Sequence, residues 1–331
     1  MEKVKHPRTL LEAVRYFTDP AVCLNFLAAL RWPNGVTCPR CGSKEVAFLT
    51  NARVWKCRGK HDRQKFSAKV GTVMEDSPIS LDKWLPAMWM LASCKNGISS
   101  YELARALRVT QKTAWFMLHR IRLAMQESGG MLGGYGRTVE VDETWIGGKA
   151  RKMNAGRRGK ATTGKGKHGP YAFSGKAIVF GMLERAGRVK VRTVPNVKRN
   201  TLEPHIHEHV ERETEIHSDA NLSYDRLDWT DPFGQQKYTH KVVDHAVEYV
   251  RDNVHVNGLE NFWSLLKRAI RGTYVSVEPF HLFRYLDEQA FRFNTRLAAD
   301  GERFLDVVRS VVGKRLTYQH LIGGDSLLAP A

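Results

Sequence analysis

The hydrophobic positions change period twice along the chain. Over residues 9–31 they recur at helical spacing. Asp19-Pro20 supplies a cap and a proline suited to a first helical position, and "RWPNG" at 31–35 closes the segment. From 36 to 71 the pattern breaks into short, turn-rich pieces that carry cysteines. Helical spacing returns over 80–125. Ser80 is placed to cap the first of these helices, although Pro86 should kink or delay it. Ser99 and Glu102 form a Ser-x-x-Glu capping box, and Thr110 follows as the next cap after "RVT". Residues 98–125 therefore predict two helices across a tight turn, with Trp115, Phe116, Leu118 and Ile121 directed to a core.

The glycines of "SGGMLGGYG", 128–136, predict a flexible linker and a domain boundary. Beyond it the period becomes 2. In "TVEVDETWIGGK" Val139 and Val141 alternate with Glu140 and Asp142, which predicts a strand over 138–143. Two more strands joined near Gly187 follow within 165–195, then a helix over 199–211. "TEIHSDA" reads as a strand ending at Asp219, and "KYTHKVVDH" as another. "NGLENFWSLLKRAIRG", 257–272, is an amphipathic helix with Leu259, Phe262, Trp263, Leu266 and Ile270 on one stripe. A last helix spans 279–294. His205, His207 and His209 read as a solvated helical face. The order strand, strand, strand, helix, strand, strand, helix is that of an α/β domain.

Charge sharpens this picture. The 331 residues carry 52 Lys and Arg against 34 Asp and Glu, a net charge of +18. Such an excess fits a phosphate-rich partner. No apolar run approaches the roughly 20 residues needed to span a bilayer, and the N-terminus lacks a signal-peptide core. An intracellular nucleic acid is the expected partner, and no membrane. Residues 149–168 hold eight Lys or Arg, four glycines and no acid. They read as an arm that tracks phosphates through Arg151, Lys152, Arg157, Arg158, Lys160, Lys165 and Lys167. A solvated insertion is the plainer alternative.

Five cysteines, an odd number, argue against a disulfide framework. Cys23 and Cys94 lie in apolar helical patterns and read as small buried hydrophobes. "CPRC" at 38–41 is followed, after 15 residues, by "CRGKH" at 57–61. Cys38, Cys41 and Cys57 with His61 suit a tetrahedral structural Zn²⁺. Lys60 stands where a zinc ribbon would carry its fourth cysteine, which leaves the fourth ligand open. In the helical pair at 98–125, the second helix carries Gln111, Lys112, His119, Arg120 and Arg122. It fits the recognition helix of a helix-turn-helix, with Gln111, Lys112 and Arg120 as DNA contacts.

The crowding of Glu140, Asp142 and Glu143 at one strand end is unfavourable unless cations sit among them. Mg²⁺ takes oxygen ligands, and a pair of such ions can clamp the oxygens of phosphoryl transfer. Asp219 ends the fourth strand and Glu260 opens a late helix, and acids so distributed have the arrangement of the RNase H-like fold. Glu260 also has a purely structural reading, since Asn257-x-x-Glu260 matches a capping box. Asp142 as the end of a solvated strand and Asp219 as a turn residue are the corresponding alternatives.

Together "VEVDETWIGGK", "IHSDANLSY" and "HVNGLENFWSLLKRAIRGTY" resemble the transposase domain of ISXO-like bacterial insertion sequences, which are DDE transposases. "CPRCGS", "CRGKH" and "KNGISSYELARALRVTQKTAWFMLHRIR" resemble the same family's zinc ribbon and helix-turn-helix. The likeness spans about residues 10–295. It implies an RNase H-like, retroviral integrase-type catalytic domain over 138–300 with the basic insertion 149–168. Before it come a helical segment at 1–35, a zinc ribbon at 36–72, a helix-turn-helix domain at 78–127 and a linker at 128–137, and a tail at 301–331 follows. It implies Asp142, Asp219 and Glu260 as a triad holding two Mg²⁺ or Mn²⁺ ions. Lys267 matches a basic residue of the family's late helix, and with Arg268 and Arg271 it is expected to meet DNA phosphates. The implied activity is hydrolysis at the element's inverted repeats, followed by attack of the freed 3′-hydroxyl on target DNA. The implied assembly is a dimer or higher in the bacterial cytoplasm, at the nucleoid. A DNA-binding regulator with dead chemistry, or a nuclease that cuts without joining, are the rival readings.

Overall fold

The computed structural model describes residues 6–127, 129–147, 176–229, 237–243 and 254–323. The chain forms two compact units, one from residues 1–126 with 297–331 and the other from 127–296.

The first unit opens with two helices, where one was expected over 9–31. These are α1 (Leu10–Tyr16) and α2 (Pro20–Arg31). The break falls at Asp19, whose side chain accepts from the Ala21 N–H at 2.7 Å. Pro20 has no N–H to donate back into an upstream turn. A small antiparallel sheet follows, β1 (Val46–Leu49), β2 (Val54–Cys57) and β3 (Lys65–Phe66), in that order. Its interior is aromatic, with Trp55 between Phe48, Trp32 and Phe66 at ring separations of 5.1, 5.4 and 6.1 Å.

Helix α3 (Leu81–Ser93) begins at Leu81 in spite of Pro86, and the Ser80 side chain makes no cap bond. Its apolar residues are wrapped on nearly all sides, so packing outweighs the one lost hydrogen bond. Helix α4 (Ser100–Leu107) has the Ser99–Glu102 capping box. The turn to α5 (Gln111–Met125) passes through left-handed Arg108, and Thr110 caps α5. Cys23 is fully buried, but Cys94 ends α3 half-exposed. Residues 301–323, expected as a tail, contribute α9 (Asp300–Arg309) and the short α10 (Tyr318–Leu321) to this unit. The apolar stripe of α9 explains this, because Phe304 packs at 5.2–5.9 Å from the rings of Phe17, Phe26 and Trp89.

The second unit is a five-stranded sheet. Its strands are β4 (Thr138–Ile146), β5 (Ala177–Glu184), β6 (Val189–Val194), β7 (Thr214–Asp219) and β8 (Tyr238–Val243). The spatial order is β6-β5-β4-β7-β8. β4–β5 and β5–β6 are antiparallel, and β4–β7 and β7–β8 are parallel. Helix α6 (Arg199–His209) buries Leu202 and Ile206 against Val139, Val141, Phe180 and Ile216. Helices α7 (Asn257–Ala269) and α8 (Leu282–Asn294) bury Leu259, Phe262, Leu266 and Leu286 in a second cluster with Val179, Leu183 and Val189. β5 is apolar on both faces, with Ile178, Phe180 and Met182 in the α6 cluster and Ala177, Val179 and Leu183 in the α7–α8 cluster, as a strand covered on both sides requires. In the glycine-rich stretch expected as a linker, Leu132 is buried and its N–H donates to the His209 carbonyl at 2.7 Å.

Candidate active site and metal centre

In the first unit Cys38, Cys41, Cys57 and His61 bring their ligand atoms within 4.8 Å of one another, and among the described residues this is the one His, Cys and carboxylate cluster so close. The Cys38 sulfur lies 3.4 Å from His61 Nε2, and the Cys41 and Cys57 sulfurs are 3.6 Å apart. A tetrahedron of Zn–S bonds of about 2.3 Å has edges of about 3.8 Å, so the set needs little adjustment to hold Zn²⁺. His61 Nδ1 lies 2.7 Å from the Asp62 carbonyl oxygen, which can only accept. The proton is therefore on Nδ1 and the Nε2 lone pair faces the sulfurs. Burial raises the Cys38 thiol, but backbone N–H groups of Arg40 and Cys41 bring it down to about 7. Four donors with no open fifth position make a structural site for Zn²⁺, with His61 in the fourth place.

In the second unit Glu140 of β4 pairs with His217 of β7 in the parallel ladder. β7 ends two residues on at Asp219, whose charge reaches Asp142 of β4. Asp142 is opposite Gly181 of β5 on its other side. A Cβ at Gly181 would stand 2.6 Å from the Trp263 ring, so the absent side chain lets α7 come down onto the sheet there. The Trp263 indole then donates from Nε1 to Asp142 Oδ2 at 2.7 Å. Asp142 Oδ1 accepts from the Glu143 N–H at 2.8 Å. Burial pushes the Asp142 carboxyl up to about 7, against the Trp263 hydrogen bond and with help from the charges of Glu143 and Asp219.

A cleft of about 730 Å³ opens between β4 and α7, lined by Asp142, Glu143, Trp145, Glu260, Lys267, Arg268 and Arg271 among others. Glu260 is exposed in its first helical turn, and Lys267 follows it two turns later on the same wall. Burial lowers the Lys267 ammonium from its ordinary value, as does the neighbouring Arg271, while Asp142 opposes them. Asp219 is close enough to act on Asp142 electrostatically but does not line this cleft.

The capping-box reading of Glu260 fails. The cap residue of α7 is Val256, with no side-chain cap bond, and Asn257 is already inside the helix. The cap acceptor comes instead from β4. Glu140, 1% exposed, accepts from the Leu259 N–H at 3.0 Å. Glu143 of the same acidic cluster is buried and bonded on the opposite face. It accepts from Asn221 Nδ2 and the Tyr224 hydroxyl, both at 2.5 Å, and so ties β4 to the loop after β7. Burial raises both the Glu143 carboxyl and the Tyr224 phenol.

On α5 the expected DNA contacts divide. Gln111 and Lys112 lie in the accessible first turn, where Gln111 donates to Ser100 Oγ at 2.8 Å and Lys112 sits 4.7 Å over the Tyr318 ring. Arg120 is not available for DNA. It is 6% exposed and donates to the carbonyls of Leu316 and Glu75 at 3.1 and 3.0 Å. His119 and Arg122 are buried as well. Trp115 and Phe116 are only half-buried. The basic insertion, with Arg151, Lys152, Arg157, Arg158, Lys160, Lys165 and Lys167, lies outside the described residues. No helix among the described residues is long and apolar enough to cross a membrane.

Residues 131–294 match the family model of the ISXO2-like transposase domain, and residues 19–59 match that of the transposase zinc-ribbon domain. An uncharacterized protein in transposable element ISH50 of Halobacterium salinarum is 28% identical over 263 residues, covering 77% of this chain and 84% of that protein. An uncharacterized transposase-like protein of Haemophilus influenzae is 31% identical over 107 residues, 32% of this chain and 81% of the relative.

Proposed function

The chain belongs to the ISXO2-like transposase family, and on that premise we propose that it cuts and joins DNA at the ends of an insertion sequence, using Asp142, Asp219 and Glu260 on an RNase H-like sheet. The observation that carries this reading is the bond that anchors Trp263 of α7 to Asp142, with Glu260 one turn before that tryptophan and Asp219, at the end of the adjacent parallel strand, near enough to raise the Asp142 carboxyl. The strand order, with the second strand antiparallel and the first beside the fourth, supports the RNase H-like assignment.

The donor set is all oxygen and strongly anionic, which fits Mg²⁺ or Mn²⁺. A bound pair of such ions supplies Lewis acidity and alignment for an in-line displacement at phosphorus. The protein's part would be to present the three carboxylates to the ions in spite of their mutual repulsion. Burial and the neighbouring acids raise the Asp142 carboxyl to about 7, an unfavourable ionisation that a bound cation would offset. Lys267, Arg268 and Arg271 on the same wall give the scissile strand's phosphates a cationic bank. Gln111 and Lys112, the accessible end of the helix-turn-helix, and the basic insertion bind the terminal inverted repeats. Joining two ends calls for at least two chains, acting in the cytoplasm on nucleoid DNA.

Asp142→Asn and Asp219→Asn test the reading. Each should abolish cleavage of element-end DNA in Mg²⁺ and leave binding to that DNA intact. Substantial residual cleavage by either variant removes that carboxylate from the triad. Transfer of a labelled 3′ end into a second duplex separates a transposase from a nuclease that only cuts.

A further inference from the structure

Glu140 stands two residues before Asp142 on the same face of β4, yet it does not line the cleft. Its carboxylate is held on both oxygens. Oε2 accepts from the Leu259 N–H at 3.0 Å, and Oε1 accepts from Arg185 Nε at 3.2 Å with His255 Nδ1 3.3 Å away. Arg185 continues the chain of contacts. Its terminal nitrogen donates to the His255 carbonyl and to His217 Nδ1, each at 3.0 Å. Because a guanidinium can only donate, His217 Nδ1 carries a lone pair, and its Nε2–H donates to Glu215 at 2.6 Å. Lys241 closes the row with its ammonium 2.6 Å from the other oxygen of Glu215. Neutral His217 fits this arrangement, and burial lowers its pKa.

This row of alternating charge ends on the backbone of the residue just before Glu260. Resting on the reading of Glu260 as the third carboxylate, we propose that Glu140 is a positioning residue that sets the height and rotation of α7, and so the place of Glu260, against β4. A buried carboxylate suits the task. It satisfies a helix N–H that no local side chain reaches, and its charge complements the positive end of the helix dipole. The contact is also tight. A Cβ on Gly258 would stand 2.7 Å from Glu140 Oε2 and 2.4 Å from Leu183, so the first turn of α7 is seated directly on this oxygen. One strand thereby carries both a metal-binding carboxylate and the clamp for its counterpart.

Two readouts on the full, zinc-loaded chain test this: Mn²⁺ binding by isothermal titration, and the Mg²⁺ concentration giving half-maximal cleavage of element-end DNA. Both are taken well below the melting temperature of each variant. Glu140→Ala should weaken Mn²⁺ binding about tenfold and raise the half-saturating Mg²⁺ to match, with DNA binding unchanged. Glu140→Gln keeps an acceptor oxygen for the Leu259 N–H and should restore most of that loss. Gly258→Ala forces the helix off the same oxygen without removing any charge and should behave as Glu140→Ala does. It stands in for Glu140→Ala if that variant fails to fold. Parental metal dependence in folded Glu140→Ala or Gly258→Ala overturns the positioning role, as does a Gln variant no better than Ala. Glu260→Gln keeps the two claims apart. If it retains parental Mn²⁺ binding and cleavage, the reading of Glu260 falls; if it loses both while the Glu140 and Gly258 variants do not, only the positioning role falls.

Discussion

Trp263 on α7 and Asp142 on β4 are joined by a 2.7 Å hydrogen bond from indole to carboxylate. The bond favours the ionised form of a carboxyl that burial otherwise holds up at about 7. Trp263→Phe removes the donor with little change of volume. The acid limb of Mn²⁺ binding against pH should therefore move to higher pH. A limb that stays in place would mean the bond has no influence on Asp142.

The same raised carboxyl makes a statement about stability. The folded chain keeps the Asp142 proton over a range where the unfolded chain, at about 4, has lost it. This contribution is complete below pH 4 and is lost as pH rises through about 7. Zinc-loaded, magnesium-free Asp142→Asn should therefore be more stable than the parent at pH 8, by roughly 1–3 kcal/mol, and similar to it at pH 4. Denaturant melts at the two pH values measure this. Equal differences at both would show that Asp142 ionises freely.

For α7 the expected mutational pattern follows from its cap. Asn257 lies inside the helix and makes no cap bond, so Asn257→Ala should change stability by less than about 0.5 kcal/mol. Glu260 is exposed, so Glu260→Gln should melt with the parent and yet fail to cut. A marked loss of stability in Asn257→Ala would restore a capping role to that residue.

Arg120 belongs to the interior of the first unit. Its removal strands two backbone carbonyls, so Arg120→Ala should destabilise by roughly 2–3 kcal/mol. Where it is folded it should bind DNA as the parent does. Lys112→Ala and Gln111→Ala should show the reverse, an unchanged melt with weaker DNA binding. Filter-binding or anisotropy titrations beside the melts decide between the two patterns.

Metal analysis should find about one tightly held zinc per chain, and a chelator should unfold the β1–β3 sheet, whose core is too small to stand alone. His61→Ala should weaken zinc retention. Unchanged retention would assign the fourth position to another group.

The legible parts of this protein were those whose signal is local. Cysteine spacing gave the zinc cluster, and the change of period near residue 138 gave the order of strands and helices. Thr110 and Ser99 were readable as caps because their partners lie three residues away. The cap of α7 was not, since Glu140 and Leu259 are far apart in sequence and only the fold brings them together. The local candidate, Asn257, misled for that reason. Arg120 looked like a solvent-facing base on a recognition helix because nothing in its own segment reports that residues 311–321 return to cover it. Gly181 and Trp263 gave no sequence signal of meeting, because the absent Cβ matters only once α7 lies across β5.

The first unit is built from two ends of the chain. Val73 N–H donates to the Val311 carbonyl at 3.0 Å, and Phe304 fills the space among Phe17, Phe26 and Trp89. During synthesis the ribosome makes the zinc-binding segment and helices α1–α5 first, then all of the second unit, and only then α9. At about 5–20 residues per second, the apolar faces of α1–α3 wait through 170 residues, 127–296, before their last partner emerges. The second unit has no such wait. The unit carrying Asp142, Asp219 and Glu260 is therefore complete while the one carrying the zinc cluster and α5 is still missing part of its core, and a chain cut short before Phe304 can finish the former but not the latter.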